Sequence, residues 1–81
     1  MSAVVYTQPG CAPCTATVRA MDRRGLSYVE VDLTARPGEI SRLRALGHTR
    51  TPIVITADGD TWAGFRPDKI AALAQAGHNN K

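Results

Sequence analysis

The sequence contains few of the residues on which several large classes of protein depend. It has two cysteines, two histidines, one Trp, one Phe and two Tyr among its 81 residues. No apolar run approaches the roughly 20 residues that span a bilayer, and no basic leader precedes an apolar stretch. The ten Lys and Arg residues are scattered and are not interleaved with stacking aromatics. We therefore predict a cytoplasmic protein that binds neither membranes nor nucleic acid.

The composition is that of one small globular domain. Hydrophobic residues make up 43% of the chain and charged residues 21%, with a formal net charge of +3. The sequence contains neither an internal repeat nor a low-complexity segment. A chain of this length can bury one small core but not two. The prediction is a single monomeric domain over residues 1–77, followed by a disordered tail over residues 78–81.

The two cysteines, Cys11 and Cys14, lie where a short apolar strand turns at Pro9-Gly10 into a helical pattern. This spacing places the first sulfur just before a helix start and the second one turn inside it, close enough for a disulfide. The unpaired N–H groups and the dipole of a helix start stabilise a thiolate, so Cys11 is predicted to attack and Cys14 to resolve. In a reducing compartment such a pair is more often catalytic or metal-binding than structural.

The pattern of apolar residues predicts an α/β chain with elements in the order β-α-β-α-β-β-α. Strands are expected over residues 3–7, 27–33, 51–56 and 61–63. Helices are expected over residues 13–24 and 37–46, and from residue 67 to a stop at Gly77. The start of the second helix is left open between Thr34 and Arg36. The first strand-helix-strand unit should be right-handed with parallel strands, and Asp58-Gly59 should join the last two strands in an antiparallel hairpin.

This order of elements, with Cys-x-x-Cys after the first strand, resembles the thioredoxin fold in its small glutaredoxin form. Residues 6–14 and 31–34 resemble the corresponding segments of the NrdH-redoxins, the glutaredoxin-like proteins that reduce class Ib ribonucleotide reductase. The most discriminating segment is Trp62-Ala63-Gly64-Phe65-Arg66-Pro67-Asp68. Cys-x-x-Cys alone would indicate only the thioredoxin superfamily or a metal site.

The resemblance implies a four-stranded mixed sheet flanked by three helices, and it also implies roles for residues outside the cysteine pair. The peptide bond between Thr51 and Pro52 is expected to be cis, with its loop against the cysteines and the Thr51 backbone presented to an extended substrate. Trp62 and Phe65 are expected to form an apolar patch beside the thiols that contacts partners.

Further expectations concern an ion pair in the loop before the last helix and the identity of the redox partners. Arg66 and Asp68 flank Pro67 and are predicted to clamp the loop through an ion pair. By resemblance, the partners are thioredoxin reductase and the large subunit of class Ib ribonucleotide reductase. No cofactor is expected on the chain itself, because its electrons would come from NADPH through the reductase.

Two alternatives stay open at this point. One is a glutathione-dependent glutaredoxin, which Thr51 before Pro52 favours, whereas Phe65, Pro67 and Asp68 make a poor site for a glutathione carboxylate. The other is a zinc-binding module, although neither His48 nor His78 has a spacing to the cysteines that matches a compact finger. The first strand has no acidic residue, so no base for the resolving cysteine is assigned.

Overall fold

The computed structural model of the protein describes residues 2–76. The strands are β1 (Ala3–Thr7), β2 (Tyr28–Asp32), β3 (Ile53–Thr56) and β4 (Thr61–Ala63). The helices are α1 (Ala12–Arg23), α2 (Pro37–Ala45) and α3 (Pro67–Gln75), with a 3₁₀ turn at Leu33–Ala35. None of the helices in residues 2–76 has the length and apolar character needed to cross a membrane.

The strands form one mixed sheet in the order β2-β1-β3-β4. Strand β1 pairs in parallel with β2 and antiparallel with β3, and β3 pairs antiparallel with β4. The predicted order of elements and the predicted four-stranded mixed sheet with three helices are therefore confirmed. The connection between strand β1 and helix α1 contains Cys11, and the first turn of α1 contains Cys14.

Several element boundaries differ from the prediction, each for a local reason. Strand β2 ends at Asp32 because the Asp32 side chain accepts a hydrogen bond from Thr34 N at 2.8 Å and begins the 3₁₀ turn. Strand β3 begins after Pro52, which has no N–H to donate to a strand partner. Helix α3 ends at Gln75, and the predicted stop at Gly77 and tail over 78–81 lie outside the described residues.

Both faces of the sheet are covered, as the nearly continuous apolar character of β1 predicts. Alternate side chains of β1 point to opposite faces, so Val5 and Tyr6 belong to different clusters. The larger cluster packs under α1 and α3 and includes Val5, Met21, Val54, Trp62 and Ile70. The smaller cluster packs under α2 and consists of Tyr6, Leu33, Leu43 and Ile53.

Candidate active site

Cys11 lies at the positive end of helix α1. Gly10 has φ +73°, a conformation that glycine adopts without strain, and it turns the chain from β1 toward the helix. Cys11 then takes the N-cap position, with extended backbone, and its Sγ accepts a hydrogen bond from the backbone N–H of Cys14 at 3.2 Å. Pro13 lies in the first turn, where a missing N–H breaks no helical bond. The local sequence thus aims an unpaired helical N–H at the sulfur.

Cys11 and Cys14 form a disulfide, with their Cα atoms 5.2 Å apart. Cys14 is only 4% exposed, whereas Cys11 is partly accessible. An incoming disulfide can therefore reach the sulfur of Cys11 more readily than that of Cys14. This difference supports the predicted order of attack and resolution, and the disulfide fits a dithiol mechanism.

The loop before β3 lies against the Cys11 sulfur. The Thr51-Pro52 peptide bond is cis, as expected from the resemblance. Thr51 is 8% exposed, its Oγ1 donates to Cys11 Sγ at 3.4 Å, and its carbonyl oxygen lies 3.7 Å from the same sulfur. The carbonyl of Pro52 accepts from Gly64 N at 2.8 Å, which ties this loop to the end of β4. The role of Thr51 and Pro52 in partner binding stays a prediction.

The resemblance predicts a role for the Thr51 backbone, but nothing in the sequence alone indicates the contact of its hydroxyl with Cys11. The contact joins residues 40 positions apart, so no local pattern reveals it. The available signal was a hydroxyl-bearing residue directly before a proline that the resemblance places beside the thiols.

A cavity of about 610 Å³ opens beside the cysteine pair. Its lining includes Thr7 from the end of β1 and the carboxylates of Glu30 and Asp32 from β2. Thr7 Oγ1 donates to Glu30 Oε2 at 3.1 Å. Hydrogen bonds from the Thr34 hydroxyl and backbone lower the pKa of Asp32. Parallel pairing of β1 with β2 therefore places Glu30 and Asp32 on the same cavity as Cys14, a juxtaposition that no local sequence pattern indicates.

Trp62 and Phe65 do not form one exposed patch. Trp62 is 4% exposed and packs in the larger core cluster, because alternation along β4 turns it toward the face covered by α1 and α3. The prediction that Trp62 contributes to a surface patch is therefore wrong. Phe65, which follows the end of β4, is 39% exposed and lines a groove with Arg23 and Pro67.

The predicted ion pair before α3 is present. Arg66 donates from Nε to Asp68 Oδ1 at 3.1 Å and from Nη2 to Asp68 Oδ2 at 2.9 Å. This hydrogen bonding lowers the pKa of Asp68 and raises that of Arg66. Both side chains are exposed, so the pair contributes little to global stability. Its geometry nevertheless holds an anionic carboxylate at the start of α3.

Nothing within residues 2–76 supports the zinc alternative. The described residues contain no group of three or more His, Cys, Asp and Glu placed to hold a metal ion. His48 Nε2 lies 3.0 Å from Thr61 Oγ1, with which it shares a hydrogen bond, and His78 lies outside the described residues.

The chain is similar in sequence and in structure to known proteins. A family model for glutaredoxin matches residues 3–62. The chain is 40% identical to the glutaredoxin-like protein NrdH of Escherichia coli strain K12 over 78 residues, which cover 96% of this chain and 95% of the relative. It is 33% identical over 70 residues to the gene 56 protein of Mycobacterium phage D29, covering 85% of this chain and 78% of that protein. The solved structure of E. coli NrdH-redoxin matches with a TM-score of 0.85 at 40% identity, over 90% of this chain and 95% of the other.

Proposed function

The chain belongs to the glutaredoxin family as an NrdH-like redoxin, and we propose that it transfers electrons from thioredoxin reductase to the large subunit of a class Ib ribonucleotide reductase. The observation on which the proposal rests is the partly accessible sulfur of Cys11 at a helix N-cap, joined to the buried sulfur of Cys14. A monomeric state and a cytoplasmic location are parts of the same proposal.

The chemistry begins with the reduced protein. The thiolate of Cys11 attacks one sulfur of the partner's disulfide, the partner's S–S bond breaks, and its leaving thiolate takes up a proton. Cys14 then loses its proton and attacks Cys11 Sγ, which releases the partner's second sulfur and closes the Cys11–Cys14 disulfide. The released second sulfur also takes up a proton, so the partner has gained two electrons from the protein and two protons, one lost by Cys14 and one from water.

Two donors hold the attacking sulfur in its reactive form. The backbone N–H of Cys14 and the hydroxyl of Thr51 both point at Cys11 Sγ, at 3.2 and 3.4 Å. Hydrogen bonds to a charged acceptor are stronger than those between neutral groups, so both donors favour the thiolate over the thiol. Cys14 and Glu30 line the same cavity, so we propose that the Glu30 carboxylate receives the Cys14 proton, directly or through water, when resolution begins.

The start of α3 supports thioredoxin reductase as the source of electrons. Glutathione-dependent glutaredoxins receive a glutathione carboxylate at the corresponding helix start, through its free N–H groups. In this chain Pro67 lacks an N–H, and the lowered pKa of Asp68 keeps a negative charge at that place. The solved E. coli relative is described as having a thioredoxin-like activity profile. The reductase would supply NADPH electrons through its own flavin, with no cofactor bound to this chain.

The deciding experiment compares two reducing systems with one disulfide substrate. NADPH oxidation is followed with thioredoxin reductase, and separately with glutathione plus glutathione reductase, each with and without this protein. We expect faster turnover with thioredoxin reductase. Faster turnover with glutathione would instead assign the chain as a glutathione-dependent glutaredoxin, the alternative that the Thr51-Pro52 loop beside Cys11 favours.

A further inference from the structure

A second cavity, of about 240 Å³, begins at Thr51 and extends away from the cysteine pair toward α2. Its apolar lining comes from the smaller core cluster and consists of Leu33, Ile40, Leu43 and Ile53. Its polar lining consists of Gln8, Thr34, Arg44, His48, Thr49, Arg50 and Thr51. No Asp or Glu is among these lining residues, whereas Glu30 and Asp32 line the cavity beside Cys14.

The two arginines of this cavity have no side-chain partner within residues 2–76. In contrast, Arg42 on the same helix as Arg44 pairs with Glu39, and Arg66 pairs with Asp68. The guanidinium of Arg50 lies beside Gly64, since its Nη2 would be 3.6 Å from a Cβ placed on that residue. Gly64 is the residue whose N–H binds the carbonyl of Pro52.

This placement puts the guanidinium groups of Arg44 and Arg50 on a cavity that adjoins Cys11 through Thr51. Thr51 lines the cavity and also contacts Cys11 Sγ at 3.4 Å. An extended chain advances about 3.3 Å per residue, so side chains within a few residues of an attacked cysteine reach the cavity. A guanidinium binds carboxylates in a planar, often bidentate geometry, and the apolar lining reduces competition from water.

We propose that this cavity binds an aspartate or glutamate side chain of the disulfide-bearing segment of the partner protein. The inference rests on the proposed function and specifies the chemistry of the segment that Cys11 attacks. Arg44 and Arg50 form the charged part of the site. A segment with carboxylates near its cysteines is therefore bound more tightly than a neutral or basic one, and the effect appears mainly in KM.

The test uses three cyclic disulfide peptides of equal length that differ only in the residues flanking the cysteines, which are Glu, Gln or Lys. Reduction by the full-length reduced protein is measured as kcat/KM at low and high ionic strength. We expect the Glu peptide to exceed the Gln peptide by about tenfold at low salt, the size of a charge-assisted hydrogen bond of about 1.4 kcal/mol. The Lys peptide should be the slowest, and the differences should shrink at high salt.

Variants that remove one arginine charge test whether Arg44 and Arg50 cause the preference for the Glu peptide. Arg44→Gln and Arg50→Gln should each lower the ratio of kcat/KM for the Glu peptide to that for the Gln peptide. Arg36→Gln is the matched control, because it makes the same change in net charge. Arg36 is exposed and lines none of the cavities described above. This variant should leave the ratio near the wild-type value.

Three outcomes would overturn the inference. Equal reduction of the Glu and Gln peptides by the wild-type protein would show that the cavity does not recognise carboxylates. An equal fall of the ratio in Arg36→Gln and Arg50→Gln would assign the preference to net charge alone. Failure to reduce any of the three peptides would overturn the proposed thiol-disulfide function as well, and is distinct from the first two results.

Discussion

The hydroxyl of Thr51 offers the sharpest test of how the structure activates Cys11. Substitution by Val keeps the shape and the branching of the side chain and removes only the donor to Cys11 Sγ. A hydrogen bond to a charged group contributes about 1.5–3 kcal/mol, and the 3.4 Å separation places this one at the lower end. Loss of about 1.4 kcal/mol lowers the thiolate fraction about tenfold when the thiol predominates.

The assay is alkylation of the fully reduced protein by iodoacetamide at mildly acidic pH, with the modified cysteine identified by mass spectrometry. Because the thiolate is the reacting species, the rate at Cys11 should fall about tenfold in Thr51→Val. Thr51→Ser keeps the hydroxyl and should retain most of the wild-type rate. Thr56→Val makes the same chemical change at another buried threonine, whose Oγ1 instead accepts from Asp60 N, and should not alter the rate.

Equal alkylation rates in the wild-type protein and Thr51→Val would refute this reasoning. The thiolate would then be stabilised by the helix start alone, through the Cys14 N–H and the dipole. A loss of rate in Thr56→Val as large as in Thr51→Val would show that the change acts through general destabilisation of β3. Thermal unfolding of each variant checks that the fold is intact.

Three further predictions concern resolution, the core and pH. Cys14→Ser should trap a mixed disulfide with the partner on a non-reducing gel, because attack by Cys11 remains possible and resolution does not. Trp62→Ala should lower the free energy of unfolding in urea by about 3–5 kcal/mol, and Trp62→Phe by less, since Trp62 Nε1 has no hydrogen-bond partner within the described residues. Burial, followed by the hydrogen bond to Asp22, raises the pKa of Tyr28 to about 12, so NMR titration of its ring should show a lower pKa in Asp22→Asn.

The raised pKa of Tyr28 determines how its contribution to stability changes with pH. A pKa raised above the unfolded value of about 10 means that the folded state favours the neutral phenol. This contribution to stability is fully present below pH ~10 and is lost as the pH rises through the folded pKa.

Each of the three predictions has a result that would contradict it. Trapping by Cys11→Ser instead of Cys14→Ser would reverse the two catalytic roles. A stability loss in Trp62→Phe as large as that in Trp62→Ala would show that packing of an aromatic ring in the core is not what Trp62 contributes. An unchanged Tyr28 titration in Asp22→Asn would show that Asp22 does not contribute and would leave burial and the charge of Glu30 as the causes of the raised pKa.

Much of the fold could be predicted from the sequence because the Pro and Gly residues that end its strands and begin its helices are local signals. Pro9-Gly10 ends β1 and Asp58-Gly59 precedes β4, and both strands have the predicted bounds. Prolines mark the first turn of every helix from Pro13 onward, where the missing N–H does no harm. The N-cap position of Cys11 follows from the same Pro and Gly signals, and so does the greater burial of Cys14 one turn further along the helix.

Tertiary structure decides which side chains contact the cysteines, and the family resemblance, not a local pattern, predicts that the Thr51-Pro52 loop lies against them. The contact of Thr51 with Cys11 spans 40 residues and that of Thr7 with Glu30 spans 23, so both depend on how β3 and β2 register against β1. A lone aromatic on a short strand has no periodic signal to show its face, and pairing with β3 turned Trp62 inward. Strand register and helix packing are set by the burial of the whole core, which no local stretch of sequence specifies.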